Sequence, residues 1–457
     1  MNEVLLGIDV GTTFVKAAVV STDGAERAHG RVPTPWESVP TGAEIDPHAL
    51  ADAAIAAARD AMASVPHGPV IGIGVTGMAE TGVLLDRRGE VLAPAIAWHD
   101  RRGTEELEAL TSWFGEEFTV VTGLPLTPQW SLVKLRWMQA HMPRTRAGVR
   151  WLNVAEWVVR CLGGNDVAEL SLASRTGFLD VGRGQWWDRA LEWIEVPPDF
   201  LPEPSPAGTP VGRVETRLDE ARGAVLAVAG HDHLCASVGA GATRPGDVFN
   251  SLGTAEAFVR SLTQMPPRHD ILRLAGEGIT VGRHIFPRLF ALLGGLESGL
   301  ARQRFLTLLG VDTPEQMRAL DEAALGLPDG AGGLVVQDVN ERLAAVTGIF
   351  RGARPEHLWR AALESVEAES TKMLAMLETL AGKPGRLVIS GGGARSLTVR
   401  ALKRAAYGVT DEPRVIEAGA RGAALTAGCA AGVYPDLFDV PAVEAAAALP
   451  EDESMST

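Results

Sequence analysis

Short apolar runs that end in glycine-bearing turns alternate along this chain with longer stretches of helical spacing. The first run, Val4-Leu5-Leu6-Gly7-Ile8, closes on Asp9-Val10-Gly11-Thr12-Thr13. It is followed by Val15 to Val20 and a turn at Thr22-Asp23-Gly24, which predicts strand, turn, strand, turn. Asp46 to Met62 is Ala-rich with helical spacing, and Val70 to Val75 is continuously apolar like a fully buried strand. Val83 to Asp86 reads as a further strand, Ser131 to about Arg160 as mainly helical, Pro197 to Pro210 as a loop, and Val225 to Ala229 as a strand. Near Asp247 the opening pattern returns: Val248 to Leu252, then Gly253-Thr254, then Ala257 to Val259. A helix over Pro355 to Leu380, a strand over Arg386 to Ser390, the triplet Gly391-Gly392-Gly393 and helical sequence over Ser396 to Tyr407 and Ala420 to Gly432 follow. Alternating strands and helices make the class α/β, and the repeated hairpin predicts a duplicated architecture with a boundary near residues 233 to 245.

Composition narrows the function classes. A chain of 457 residues, 46% hydrophobic, can bury more than one core. Its 42 basic and 57 acidic residues leave a net charge of -15, so the overall field repels nucleic acid. Cys161, Cys235 and Cys429 are odd in number and widely spaced, which argues against a disulfide framework and for a reducing, cytoplasmic setting. The N-terminus reads as a core strand and not as a signal peptide. No apolar stretch approaches the roughly 20 residues of a membrane helix, so no membrane partner is expected. Leu- and Trp-rich helical stretches leave room for a homodimer.

Candidate chemistry gathers at the turns. At Gly11-Thr12-Thr13, backbone N–H groups and hydroxyls can meet phosphate oxygens while Asp9 holds a hydrated Mg²⁺; alone, an ordinary hairpin explains the same letters better. The second hairpin at Gly253-Thr254 changes that balance, because two of them could grip one nucleotide's phosphates from both sides of a cleft. Lys16 reads equally well as a phosphate ligand and as a solvated strand residue. The Gly391 to Gly393 triplet permits close approach of a nucleoside, with a helix N-terminus beyond it that favours anions; a packed strand-to-helix turn gives the same sequence. Asp232, in Gly230-His231-Asp232-His233, can take the proton of an attacking hydroxyl, cap a helix over Leu234 to Gly239, or join its flanking histidines in a metal site. Glu80, Trp98 and His99 suit a polyhydroxylated ligand, although Trp98 alone reads as core and Arg101-Arg102 as a solvated pair.

In their order these segments resemble the FGGY carbohydrate kinases, which include xylulokinases and glycerol kinases, over nearly the whole chain. The likeness rests on Gly7 to Thr13, Ala95 to Arg102, Thr122-Gly123-Leu124-Pro125 to Lys134, Gly230-His231-Asp232, Ser251 to Thr254, Gly391 to Ser396 and Gly422 to Leu425. It implies two ribonuclease H-like (actin-like ATPase) domains with a cleft between them. Residues 1–235 would bind the sugar, 236–440 would bind ATP, and 441–457 would form a tail. It further implies Mg²⁺ and ATP as cofactors, a small sugar or polyol as acceptor, Asp232 as general base and Asp9 at the metal. Gly11, Thr12, Thr13, Lys16, Gly253, Thr254, Gly294, Gly392, Gly393 and Arg395 would line the nucleotide, and Glu80, Trp98, Gln129, Asp232 and His233 the acceptor. Ala79-Glu80 stands where glycerol kinases carry Arg-Glu and xylulokinases Met-His, and Gln129 where glycerol kinases carry Tyr. Those departures argue against glycerol and leave D-xylulose unsupported. Glu341-Arg342-Leu343 is a shortened form of a family segment on the ATP side. The competing readings are an actin-like ATPase or nucleotide sensor that transfers nothing to a sugar, and a metal hydrolase using His231, Asp232 and His233.

Overall fold

The computed structural model describes residues 2–244, 246–253, 255–339, 344–408 and 410–443. Thr254 and the Glu341-Arg342-Leu343 segment lie outside them. The chain forms two compact units. The first comprises Met1–Gly239, Ser261–Leu292 and Val415–Ala442, and the second Ala240–Arg260, Leu293–Arg414 and Val443–Thr457. The units are thus interleaved along the sequence, whereas the expectation was of two contiguous ranges, 1–235 and 236–440.

In the first unit β1 (Val4–Val10) turns back antiparallel into β2 (Phe14–Ser21), with Val10 opposite Val15, and β2 pairs with β3 (Glu26–Pro33). Helix α1 (Pro47–Ala63) starts where Asp46 accepts the His48 N–H at 2.9 Å and Pro47 presets the first turn. Its apolar face covers β2 and β3. Strand β4 (Val70–Gly77) runs parallel to β1 on the other side, and β5 (Pro210–Arg213) and β6 (Val225–His231) complete a sheet ordered β5-β6-β4-β1-β2-β3. Helix α2 (Asp232–Gly239) leaves β6 directly.

The helix Ala418–Ala430 explains the interleaving, because it packs on β1, β4 and α2 of the first unit. Its approach depends on missing side chains: a Cβ at Gly7 would sit 1.7 Å from the Ala420 carbonyl oxygen, and one at Gly74 1.9 Å from that of Ala423. The first core contains Leu6, Ile8, Val15, Val19, Leu50, Ile73 and Val75, and truncating a buried aliphatic residue there would cost roughly 2–5 kcal/mol. The parallel strands β1, β4 and β6 deliver Asp9, Gly77 and His231 at one end. At the other end a cavity of about 680 Å³ is lined by Glu3, Val70 and Val225 among others.

The second unit contains β7 (Asp247–Leu252), antiparallel to β8 (Glu256–Leu262), whose residues up to Arg260 belong to it. It also contains α3 (Ser298–Leu308), the long α4 (Pro355–Ala381), β9 (Arg386–Ser390), parallel to β7, and α5 (Leu397–Tyr407). The predicted strand, glycine triplet and helix over 386–407 occur within a residue of their expected limits. Both units therefore carry the strand, glycine turn, strand hairpin that the sequence repeat announced. Among the described residues no helix is long and apolar enough to cross a membrane.

Candidate active site

The bend between β1 and β2 is polarised by its neighbours. Its carbonyl oxygens are all engaged: Thr34 Oγ1 donates to Gly11 at 2.7 Å, the Trp36 indole N–H to Thr12 at 2.7 Å, and the Thr34 N–H to Thr13 at 3.1 Å. None of the N–H groups of Gly11, Thr12 and Thr13 finds a protein acceptor among the described residues. A turn with its acceptors used and its donors open attracts an anion. A Cβ at Gly11 would lie 2.9 Å from the Phe14 carbonyl oxygen, so the bend cannot relax around a side chain.

Asp9 precedes this bend, and one of its carboxylate oxygens, Oδ1, is buried without a hydrogen-bond partner. Burial, the negative charge of Asp232 and, less strongly, that of Glu417 push its pKa up to about 7, against the pull of Lys16 and His233. A buried carboxylate with a spare oxygen and like charges around it fits a cation-binding role. Magnesium keeps several waters and needs only one or two protein carboxylates. Lys16, in β2, is committed to Glu417 at 2.7 Å; it is neither a freely solvated strand residue nor a free cation.

Asp232 opens α2. Its Oδ1 accepts the His233 N–H at 2.6 Å and lies 3.3 Å from His231 Nε2, while Oδ2 has no partner among the described residues. Burial, reinforced by Glu80, lifts its pKa to about 7 against the His233 amide and the Arg175 charge. The contact to the His233 amide uses one carboxylate oxygen and leaves the other open. His231 is buried and held well below its usual pKa by burial and by Arg175, and the same two causes bring His233 down to about 4. Among the described residues no three His, Cys, Asp or Glu side chains form a group that could hold a metal ion, the run His231-Asp232-His233 included.

The peptide joining Gly230 to His231, one residue before Asp232, is gripped on both sides. Thr76 Oγ1 donates to the Gly230 carbonyl at 2.6 Å, and Ser171 Oγ accepts the His231 N–H at 2.9 Å. The Ser171 hydroxyl donates in turn to Glu169 Oε2 at 2.6 Å, an oxygen that also takes the N–H groups of Ser171 and Leu172. Gly230 has φ +106°, and a Cβ there would meet Ser171 Oγ at 2.7 Å and Glu169 Oε2 at 3.1 Å. The pairing of β6 with β4 shifts register between Val228 and Gly230, and this shift turns the strand end toward α2.

Glu80 is buried with φ +63°, a strained conformation for its type. Arg175 holds its carboxylate at 2.7 Å and also reaches Thr280 Oγ1 at 2.6 Å, and Ser131 Oγ donates to the Glu80 carbonyl at 3.1 Å. Trp98 is half-buried against the first core, and its indole N–H donates to Thr12 Oγ1 at 2.9 Å, which ties it to the bend between β1 and β2. Arg102 is buried in a bidentate pair with Asp100 and a further contact to Glu44, so it is not the solvated charge that its letters suggested. Gln129 is half-buried in the turn before the helix Ser131–His141, and no hydrogen bond links it to these groups among the described residues. Its neighbour Trp130 reaches them instead, with its ring 5.0 Å from the Arg175 guanidinium.

In the second unit the Gly253 N–H closes its bend onto the Ala255 carbonyl at 3.0 Å. Gly392 and Arg395 are exposed on a short 3₁₀ turn after Gly391, and Gly393 is half-buried. Gly294 packs against α4, where a Cβ would come within 2.4 Å of Met373 Sδ. The N-terminus of α5 differs from expectation. Ser396 Oγ caps the Val399 N–H at 3.1 Å and donates to Asp321 at 2.6 Å, and Asp321 also accepts the Thr398 N–H at 3.2 Å. The anion that this helix end attracts is already present as the Asp321 carboxylate.

Sequence reasoning missed Thr34, Trp36, Thr76, Glu169, Ser171 and Arg175. They reach the site through tertiary contacts, and only the i, i+2 pair Glu169 and Ser171 carries a local trace, as the cap of a short helix at Leu170–Ala173.

Residues 4–239 match the model of the FGGY family of carbohydrate kinases, N-terminal domain. A glycerol kinase of Trichlorobacter lovleyi is 30% identical over 461 residues, covering 94% of this chain and 91% of its own. A glycerol kinase of Leptothrix cholodnii is 30% identical, covering 96% and 93%. The solved xylulose kinase of Rhodospirillum rubrum is 28% identical with a TM-score of 0.85, covering 98% of this chain and 94% of that one.

Proposed function

The chain belongs to the FGGY family of carbohydrate kinases and is a carbohydrate kinase; from that premise we propose that it moves the γ-phosphoryl group of Mg-ATP to a hydroxyl of a small sugar or polyol, a ketose or a related carbohydrate, with Asp232 as general base. The observation that carries this reading is Asp232 itself. Its pKa near 7 matches the working range of a base, one of its oxygens is free, and the peptide before it is fixed by Thr76 and Ser171.

In this reading Asp232 Oδ2 accepts the proton of the acceptor hydroxyl as that oxygen attacks phosphorus. Oδ1 stays tied to the His233 amide, so the carboxylate does not rotate away. Glu80, Trp98, Gln129 and His233 surround the acceptor, and Arg175 holds Glu80 in its strained backbone. The open N–H groups of Gly11, Thr12 and Thr13 receive phosphate oxygens, joined by Lys16 once it leaves Glu417. Magnesium, when bound near Asp9, supplies charge neutralisation for the phosphates. Gly392, Gly393 and Arg395 serve the nucleoside, with Gly253, Thr254 and Gly294 on the same nucleotide side.

The named relatives act on glycerol or xylulose, while Ala79 and Gln129 depart from the glycerol kinase pattern, which favours an acceptor other than glycerol. A panel of ketoses, aldoses and polyols, glycerol included, scored by ADP formation tests the proposal. One or a few acceptors should raise ADP formation well above the water background. A rate unchanged by every acceptor would favour an ATPase instead.

A further inference from the structure

In the second unit Arg302 projects from α3 against the glycine turn that follows β9. It is 9% exposed, and a Cβ at Gly393 would stand 2.8 Å from both its terminal nitrogens and 3.0 Å from Cζ. The guanidinium occupies the space a side chain at 393 would need, which gives that glycine a reason beyond tight turning. No carboxylate or carbonyl accepts from Arg302 among the described residues, although a buried arginine ordinarily has its N–H groups paired.

Its surroundings make this bearable without satisfying it. Lys403 is buried and bonds Glu256 at 2.8 Å and Glu367 at 3.1 Å. Glu256 also accepts from Asn250 at 3.0 Å and Ser370 at 2.9 Å. Two carboxylates against Lys403 and Arg302 sum to zero charge, so the field of Glu256 and Glu367 steadies the guanidinium across a distance. Two acceptors of this network are left over, Glu367 Oε1 and Asn250 Oδ1, and Arg302 takes neither. The N-terminus of α5 is already occupied by Asp321. Two guanidinium groups remain at the glycine turn, Arg395 exposed on it and Arg302 buried beneath it, and Arg302 is the buried one whose donor fork remains open.

The geometry points to Arg302 as a nucleotide-binding residue whose guanidinium, seated in the notch of Gly393, takes oxygens of the phosphate chain of the adenine nucleotide. The planar fork of arginine matches two phosphate oxygens at once, which a lysine there could not do. The inference rests on the reading that the Gly391–Gly393 turn receives the nucleotide.

Equilibrium binding of ADP and of adenosine to the full chain, wild type and Arg302→Gln, separates the two levels. The variant should lose roughly ten- to a hundredfold in ADP affinity, the loss of a charge-assisted pair. Adenosine affinity, the acceptor KM and the urea midpoint should stay within about twofold or unchanged. Arg302→Lys, which keeps the charge and loses the fork, should recover only part of the ADP affinity, and it serves as the reporter if the glutamine variant fails to fold. ADP affinity unchanged in both variants would overturn the assignment while leaving the nucleotide turn in place. Equal loss of ADP and adenosine together with a lower urea midpoint would make Arg302 a structural counter-ion of Glu367 and would also overturn it. Failure of the wild type to bind either ligand would remove the nucleotide reading and this inference with it.

Discussion

Replacing Ser171 by alanine attacks the peptide that aims Asp232 without touching any group proposed to meet substrate. Two interactions go: the His231 N–H loses its acceptor at 2.9 Å, and Glu169 Oε2 loses a donor at 2.6 Å. A buried amide left unpaired costs about 1–3 kcal/mol, and the lost bond to a carboxylate adds a further contribution, softened because Glu169 keeps two backbone donors. The expected loss of stability is about 2–4 kcal/mol. Thr76 still holds the Gly230 carbonyl, so the turn should loosen and not collapse. A displacement of Asp232 near 1 Å costs roughly a hundredfold in rate, so kcat should fall about ten- to a hundredfold with the KM for ATP nearly constant. Urea denaturation and steady-state kinetics read the two effects, and Ser171→Thr, which keeps the hydroxyl, should restore most of the rate. A destabilisation under about 0.5 kcal/mol with kcat within twofold would refute the claim that this hydroxyl positions the base.

Glu80 raises the proton affinity of Asp232, so Glu80→Gln should move the acid limb of the kcat/KM profile downward, by roughly half to one pH unit. A limb that stays at the wild-type pH would mean that Glu80 does not act on the base. Asp9 and Asp232 both have folded pKa values near 7 against an ordinary value of 3.8, so the folded chain binds more protons than the unfolded chain in that window. Stability should therefore fall as pH rises from about 4 to 7, and Asp232→Asn should flatten part of that slope, measured by thermal melts in metal-free buffer. Equal slopes in the two proteins would contradict the assignment. Lys403→Met strands Glu256 and Glu367 in a buried site and should cost about 3–5 kcal/mol in a urea titration, whereas a loss below about 1 kcal/mol would show that the network carries little.

The elements were largely legible because their signals are local. Val70 to Val75 is apolar throughout and supplies most of the strand Val70–Gly77 buried between β1 and β6, and Asp46-Pro47 marks the helix start by the chemistry of capping. The Ser131 to Arg160 stretch was legible only in part. It holds two helices, Ser131–His141 and Val154–Cys161, with the strand Arg150–Asn153 between them, since Trp and Leu at mixed spacing serve either state. The turn residues Asp9, Gly11 and Asp232 could be named because the glycine turn recurs at Gly253-Thr254 and the segments stand in the order of a known family; singly, each reads as an ordinary turn or cap. What holds them could not be, since Ser171 lies 60 residues from His231 and Arg175 lies 95 from Glu80 along the chain. The interleaved units were hidden for the same reason: Ala418–Ala430 reads as a generic small-residue helix until Gly7 and Gly74 are seen to receive it.

The account turns on whether Asp232 removes the proton from the acceptor. Single-turnover phosphoryl transfer by Asp232→Asn, with ADP affinity and the circular-dichroism melt recorded on the same sample, asks this directly. The account predicts ADP binding like wild type, an intact fold, and transfer slowed by roughly a hundred- to ten-thousandfold. Transfer at the wild-type rate in a folded, nucleotide-binding variant would contradict it.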